Sequence, residues 1–307
     1  MWRLALLALA DSLTTTHAVP VAPAETLAVT VSGEGRPIIF VPGLVGSAFG
    51  FRHVTSALAD DGYQTVVVEP LGVGRSGRPR DADYSLTAQA DRVAAVLDSL
   101  GLRDVAVVAH AVSGSIAYRL ALRRPELVSG ILSIEGGVAE SAVTPGLKRA
   151  LKFAPLIKLL GRKGLTSELA GNFRASSGDP AWITPDVIAG YTEHAARDVG
   201  ATVDALKGMA RSHEPWALGP ELARLRCPVR LLLGGAPHKG AVPQAEVARL
   251  AASVADLEVS VVSGAGHFVF EERPGLVAAA VRALIDATPI VAQGVRTPVD
   301  MRVSQRP

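Results

Sequence analysis

Hydrophobic runs of strand length alternate with helical patterns along most of the chain. The predicted strands are mostly continuous apolar runs without polar alternation, as expected for strands buried on both faces; they cover residues 27–31, 37–41, 64–68, 105–108, 130–134, 229–233 and 257–262. Helices are predicted at residues 49–60, 86–100, 114–123, 243–254 and 274–287. This alternation predicts an α/β fold with a mainly parallel, doubly wound sheet.

The pattern changes between residues 137 and 222, where helical segments follow one another without a strand. Such a block, inserted after one strand of a parallel sheet, predicts a helical lid over the carboxyl ends of the strands, where open α/β sheets bind ligands. We therefore divide the chain into a core (24–136 and 223–287), a lid (137–222), a loose tail (288–307) and a signal peptide or disordered N-terminus (1–23).

Composition narrows the function classes. The 307 residues are 49% hydrophobic and 20% charged, with a net charge of +2, which indicates a globular chain with a sizeable core. No basic stripe has interleaved aromatic residues, so we expect no nucleic-acid partner. The single cysteine, Cys227, excludes an internal disulfide and a cysteine-rich zinc site.

The N-terminus allows two interpretations of the protein's location. The apolar run at residues 4–10 resembles a short signal peptide with cleavage after Ala18, but Asp11 interrupts it. We therefore expect a cytoplasmic protein. A secreted or periplasmic location is the alternative if residues 1–18 are removed.

Residues 105–117 (VAVVAHAVSGSIA) combine a buried strand, a turn of small residues and the start of a helix. That layout is typical of a nucleophile elbow, in which a strained strand-to-helix turn exposes one side chain. The apex falls on Ala111, which has no nucleophilic atom. A register shifted by two residues puts Ser113 at the apex instead, and Ser113 remains the alternative nucleophile.

Three further segments accompany this turn, namely residues 37–44 (PIIFVPGL), 69–77 (EPLGVGRSG) and 264–268 (GAGHF). With them, residues 24–287 resemble the α/β-hydrolase fold superfamily, in its helical-lid branch of haloalkane dehalogenases and esterases. The resemblance implies that His267 is the general base and that the backbone amides of Leu44 and Val112 form an oxyanion hole. Gly43 would let the first loop approach closely.

The residue that orients His267 is less obvious. Members of this family often carry Asp after the strand that corresponds to residues 229–233, where this chain has His238 and no acid. The dehalogenase-like branch takes its acid from the end of the preceding strand, where this chain has Glu135. We expect Glu135 to orient His267, with His238 and His110 near the pocket.

No cofactor is expected. The glycines of residues 72–77 match a dinucleotide fingerprint, but no helix opens after them. A metal site built from His110, His238, His267 and Glu135 fits no known ligand spacing, so no metal is expected either.

Three hypotheses follow from the vacant apex. The first is an enzyme acting on a small, mainly apolar substrate, with His267 as general base and no covalent step. The second is an inactive ligand-binding protein, and the third is a serine ester hydrolase that uses Ser113. A small molecule is the expected partner in each case. The basic, amphipathic segment at residues 146–160 is expected to pack its apolar face on the core rather than on a membrane. Aromatic candidates for lining the pocket are Phe173, Trp182, Tyr191 and Trp216.

Overall fold

The computed structural model describes residues 14–288. Within them a single sheet of eight strands has the order β1-β2-β4-β3-β5-β6-β7-β8. The strands are β1 Thr15–Ala22, β2 Glu25–Ser32, β3 Arg36–Val41, β4 Tyr63–Val68, β5 Val105–His110, β6 Val128–Ile134, β7 Val229–Gly234 and β8 Leu257–Val262. β2 is antiparallel to β1 and to β4, and all other pairs are parallel. The predicted α/β class with a mainly parallel sheet is confirmed.

The helices are α1 Arg52–Asp60, α2 Leu86–Ser99, α3 Ser113–Arg123, α4 Pro145–Ala150, α5 Ala154–Ser176, α6 Pro185–Arg197, α7 Val199–Arg211, α8 Gln244–Ser253, α9 Val269–Glu272 and α10 Pro274–Asp286. α2 and α3 pack on one face of the sheet, and α1 and α10 pack on the other. Ile39 and Val107 therefore point into the first core, while Ile38 and Val108 point into the second. Burial of both faces explains why these strands show no polar alternation.

β1 is an additional strand that the sequence does not predict. It lies within residues 1–23, the segment predicted to be a signal peptide or a disordered N-terminus. Residues 15–22 instead pair with β2, from Thr15 opposite Val31 to Ala22 opposite Glu25. β1 is an edge strand in which Val19 alone is buried, and Pro20 interrupts its apolar residues, so the pattern of residues 15–22 is not that of a typical strand. The supposed cleavage position after Ala18 lies inside this strand. The rest of that N-terminal segment, residues 1–13, lies outside the described residues, as does the predicted tail beyond Thr288.

Residues 137–222, called the insert below, contain α4 to α7 and several short 3-10 turns. A 3-10 turn at Leu151–Phe153 ends α4, and Pro155 lies in the first turn of α5, where its missing N–H costs nothing. The expectation that this segment packs its apolar face on the core is wrong for two side chains, since Phe153 is 66% and Leu159 83% exposed. The 3-10 turn interrupts the helical repeat that the prediction assumed.

The helices of the described residues were also compared with the length and composition of a membrane-spanning helix. From residue 14 to residue 288, no helix combines the length and the apolar composition needed to cross a bilayer.

Candidate functional site

Ala111 occupies the turn between β5 and α3 with φ of +53°, in the left-handed region that residues other than glycine seldom adopt. Its backbone N–H donates to the carbonyl of Ile134 at 2.9 Å, which ties the turn to β6. The structure therefore holds Ala111 in the strained conformation expected at the apex of such a turn.

Ser113, the alternative nucleophile, is the first residue of α3. It is 1% exposed, and its hydroxyl donates to the carbonyl of Pro42 at 2.7 Å. The hydroxyl thus ties the turn after β3 to the start of α3 and does not face solvent.

The turn after β3 lies beside Ala111. A Cβ at Gly43 would come within 3.2 Å of the His110 ring and 3.4 Å of the Ala111 methyl, so a glycine permits this approach. In the part of the chain that the structure covers, the amides of Leu44 and Val112 have no recorded protein acceptor. The two residues share the wall of a small cavity of about 10 Å³, which has room for about one water molecule.

Glu135 follows β6 and is almost completely buried, with 1% of its side chain exposed. One carboxylate oxygen, Oε1, accepts a hydrogen bond from the amide of Gly234 at 2.5 Å. The other, Oε2, lies 3.3 Å from Nε2 of His238 and 3.8 Å from Nδ1 of His267. Burial alone would raise the pKa of Glu135, but the interactions with His267, the Gly234 amide and His238 together hold it below its ordinary value. The carboxyl group is therefore ionised at neutral pH.

His238 lies in the loop after β7, where the sequence analysis expected a residue of the site. Its Nδ1 is 2.7 Å from the carbonyl of Ala236, so Nδ1 carries a hydrogen and donates it. This bond fixes the ring and directs Nε2 toward Glu135. The structure thus brings His238, Glu135 and His267 together.

His267 lies in the loop after β8, with 16% of its side chain exposed. Its backbone N–H donates to the carbonyl of Ser176, the last residue of α5, at 2.7 Å. The insert therefore helps to hold the loop that carries the histidine.

His110 lies beside the site, behind His267. It is 4% exposed, its ring centroid is 4.6 Å from that of His267, and its Nε2 donates to the His267 carbonyl at 3.1 Å. Burial and the neighbouring His267 hold the pKa of His110 well below its ordinary value, so this ring is neutral. Its role is to support the His267 loop from the core. Of the aromatic candidates, Phe173 and Tyr191 are buried against Phe268. Trp182 and Trp216 are partly buried: Trp182 also contacts the Phe268 ring, and Trp216 stacks on Arg119.

Glu69, which is 1% exposed, is not among the site residues predicted from the sequence. Its carboxylate accepts from the amide of Ala48 at 2.9 Å and from that of Arg75 at 2.5 Å, which joins the loop after β3 to the loop after β4. Burial raises its pKa. An acid directly after a buried strand, as at Glu135, was the available signal.

Comparisons with known proteins agree with this fold. A family model described as "Alpha/beta hydrolase family" matches residues 38–280. Cis-3-alkyl-4-alkyloxetan-2-one decarboxylase of Shewanella oneidensis is 33% identical over 122 residues, or 39% of this chain. That match spans 38% of the decarboxylase, and the chain likewise matches only about two fifths of the length of several other curated relatives.

Two other matches cover most of the chain. Hydrolase YugF of Bacillus subtilis, which is uncharacterized, is 26% identical over 249 residues, covering 79% of this chain and 87% of YugF. Among solved structures, the epoxide hydrolase CorEH without ligand superposes with a TM-score of 0.75 at 19% identity, covering 90% of this chain and all of that one. At this identity the likeness establishes the fold alone.

Proposed function

Because the chain belongs to the alpha/beta hydrolase family, we propose that it is an enzyme that uses His267 as a general base, without a covalent intermediate, on a small and mainly apolar substrate. The observation that carries this proposal is the conformation of Ala111. The turn keeps a left-handed φ of +53° although the residue at its apex has only a methyl group. Strain of this kind persists where the surrounding structure enforces it, commonly at functional sites.

The base needs a fixed orientation and a free nitrogen. The ionised carboxylate of Glu135 lies on the Nδ1 side of the His267 ring, which leaves Nε2 available for a proton from substrate or water. A positioned imidazole contributes about 10²–10⁴ in rate without any nucleophile. Hydrolysis by activated water, elimination and ring closure are all compatible with this arrangement.

Negative charge that develops on the substrate during the reaction must be stabilised by hydrogen-bond donors. The amides of Leu44 and Val112 have no recorded protein acceptor and adjoin the turn at Ala111, which supports the assignment of an oxyanion hole to them. Each such donor is worth about 10²–10³ in turnover. The cavity beside them is only about 10 Å³, so entry of a substrate requires the insert to shift.

The two alternatives differ in what supports them. A serine hydrolase acting through Ser113 is disfavoured, because that hydroxyl is buried and donates to Pro42. An inactive ligand-binding protein would keep the same cavity, but ligand binding alone does not require a histidine oriented by a buried carboxylate, as His267 is by Glu135.

The test uses a reaction that needs a base and no nucleophile. In 5-nitrobenzisoxazole, removal of one C–H proton breaks the N–O bond and leaves a phenolate. EDTA-treated wild type is compared with His267→Gln and with His213→Gln, whose histidine is exposed in the segment after α7. We expect wild type and His213→Gln to accelerate ring opening, and His267→Gln to lose at least about 100-fold of that rate.

Two outcomes would contradict the proposed general-base mechanism. If wild type gives no acceleration, and ligands that raise its melting temperature do so equally in His267→Gln, the protein is a binding module. If a fluorophosphonate labels wild type at Ser113, the non-covalent mechanism is wrong and the serine hydrolase is correct.

A further inference from the structure

Three buried side-chain atoms converge in the loops after β6, β7 and β8. They are Oε2 of Glu135, Nε2 of His238 and Nδ1 of His267, and all lie within 4.8 Å of one another. None of the three has a hydrogen-bond partner among the described residues. Buried polar atoms without partners are uncommon and costly, so three that face one another require an explanation.

Direct hydrogen bonds do not supply it. Charge-assisted N–H···O bonds are about 2.7–2.9 Å long, whereas Oε2 of Glu135 is 3.3 Å from His238 and 3.8 Å from His267. A tetrahedral zinc ion with bonds of about 2.0–2.1 Å holds its ligand atoms about 3.3 Å apart. The 3.3 Å separation matches that value, whereas the 3.8 Å separation and the distance between the two nitrogens, which is within 4.8 Å, would have to shorten for the three atoms to share one metal ion.

The outer hydrogen bonds also match a metal site. His238 donates its Nδ1 hydrogen to the carbonyl of Ala236, and Oε1 of Glu135 accepts from the amide of Gly234. Metal-binding histidines almost always give their other ring hydrogen to a carbonyl or carboxylate, which fixes the tautomer. In the neutral form of His238 that tautomer presents an Nε2 lone pair to the carboxylate.

With both nitrogens unprotonated, two lone pairs and a carboxylate oxygen repel one another unless a positive charge lies between them. A hydrogen on Nδ1 of His267 or on Nε2 of His238 would point at the carboxylate, but neither contact is as short as a charge-assisted hydrogen bond. One metal ion satisfies all three atoms. Spacing along the chain gave no sign of this, because the three ligands come from three separate loops that the parallel sheet brings to one edge.

We propose that Glu135, His238 and His267 form a binding site for one divalent transition-metal ion, of which Zn²⁺ is the best match. Two imidazole nitrogens and one carboxylate oxygen are ligands that Zn²⁺ prefers, and three protein ligands leave a fourth position for water. The Glu135 and His238 side chains are 1% exposed, so the partly exposed His267 marks the side open to solvent.

The metal site is inferred from the positions of the three ligand atoms and does not depend on the proposed function. Metal binding and general-base action exclude each other in a given molecule, because a metal on Nδ1 of His267 leaves the ring hydrogen on Nε2. The loaded protein therefore lacks the general base, and Zn²⁺ would act as its inhibitor.

The experiment measures metal binding directly. Full-length protein without a histidine tag is stripped with EDTA and titrated with Zn²⁺ by calorimetry and with Co²⁺ by visible absorption. We expect one ion per chain and an absorption intensity typical of tetrahedral Co²⁺, which Zn²⁺ abolishes. His238→Ala and Glu135→Gln should each weaken Zn²⁺ binding by more than about 100-fold, whereas His213→Ala should leave it unchanged.

Circular dichroism of each variant establishes that it is folded, and the wild-type titration does not depend on the variants. Failure of wild type to bind either ion overturns the proposal. Zn²⁺ binding that survives both His238→Ala and Glu135→Gln also overturns it, since the ion then lies elsewhere. Neither readout uses turnover, so this result is separable from the outcome with 5-nitrobenzisoxazole.

Discussion

Ala111 and Glu135 adopt the same left-handed backbone conformation, each one residue beyond the end of a strand. Their φ angles are +53° and +50°, and the strand residues before them, His110 and Ile134, are paired in the sheet. Each extends the parallel ladder by one more hydrogen bond of 2.9 Å, from Ala111 to Ile134 and from Glu135 to Leu232. Neighbouring strands thus leave the sheet with the same sharp turn, which brings both turns to one edge.

Ala111→Gly should stabilise the protein. A left-handed conformation costs a residue with a Cβ about 1–2 kcal/mol, and glycine avoids that cost while losing more backbone entropy on folding. We expect the free energy of unfolding to rise by about 0.5–1 kcal/mol, measured by urea denaturation.

The matched control is Ala279→Gly, at an exposed position within α10. Glycine in a helix interior should lower the free energy of unfolding by about 0.5–1 kcal/mol. Opposite signs for the two variants are the expected result. Equal destabilisation by both would mean that Ala111 is not strained.

Ala111→Ser should create a reactive serine. A hydroxyl at position 111 would join His267 and Glu135, and we expect a fluorophosphonate to label residue 111, as located by mass spectrometry of the peptides. Adding Ser113→Ala should leave that labelling intact and lower stability by about 1 kcal/mol, because only the buried bond to Pro42 is lost. Labelling that disappears in the double variant would assign the nucleophile to Ser113 instead.

The sequence predicts those parts of the fold that have a strong apolar signal. All seven predicted strands were found from their runs of apolar residues, including β8, in which only Val262 is buried. β1 was missed because Pro20 interrupts its few apolar residues. The position of Ala111 followed from its neighbours along the chain. The orientation of His238 could not be predicted, because it depends on the carbonyl of Ala236 and on the folding of its loop.

Cys227 should react slowly and in a pH-dependent way. Burial raises the pKa of this thiol from 9.0 to about 11. At pH 8 the thiolate fraction therefore falls by about 100-fold, and only the thiolate is alkylated. We expect iodoacetamide to modify native protein about 100-fold more slowly than protein unfolded in urea, with the native rate rising about tenfold per pH unit below 11. Equal modification rates for native and unfolded protein at pH 8 would show that folding does not raise the pKa of the Cys227 thiol.

Arg119 should be among the most sensitive positions for stability. Its side chain is 0% exposed and pairs with Glu140 at 2.6 Å and with Glu214 at 3.5 Å. Glu140 also accepts from the amide of Leu218, so Arg119 links the two ends of the insert to α3. The Glu140 side chain is 40% exposed and water compensates its charge, whereas Glu214 is only 8% exposed. Removing Arg119 leaves the buried charge of Glu214 without its cation, and we expect Arg119→Ala to lower the free energy of unfolding by about 3 kcal/mol.

Arg123, on the same helix, provides the control. Its ion pair with Asp91 is 2.7 Å long but has side-chain exposures of 43% and 48%. An exposed pair contributes about 0–1 kcal/mol, so Arg123→Ala should change the urea midpoint only slightly. The contrast between two arginines four positions apart isolates burial as the cause. Similar losses for both variants would mean that arginine at either position stabilises α3 itself rather than the attachment of the insert.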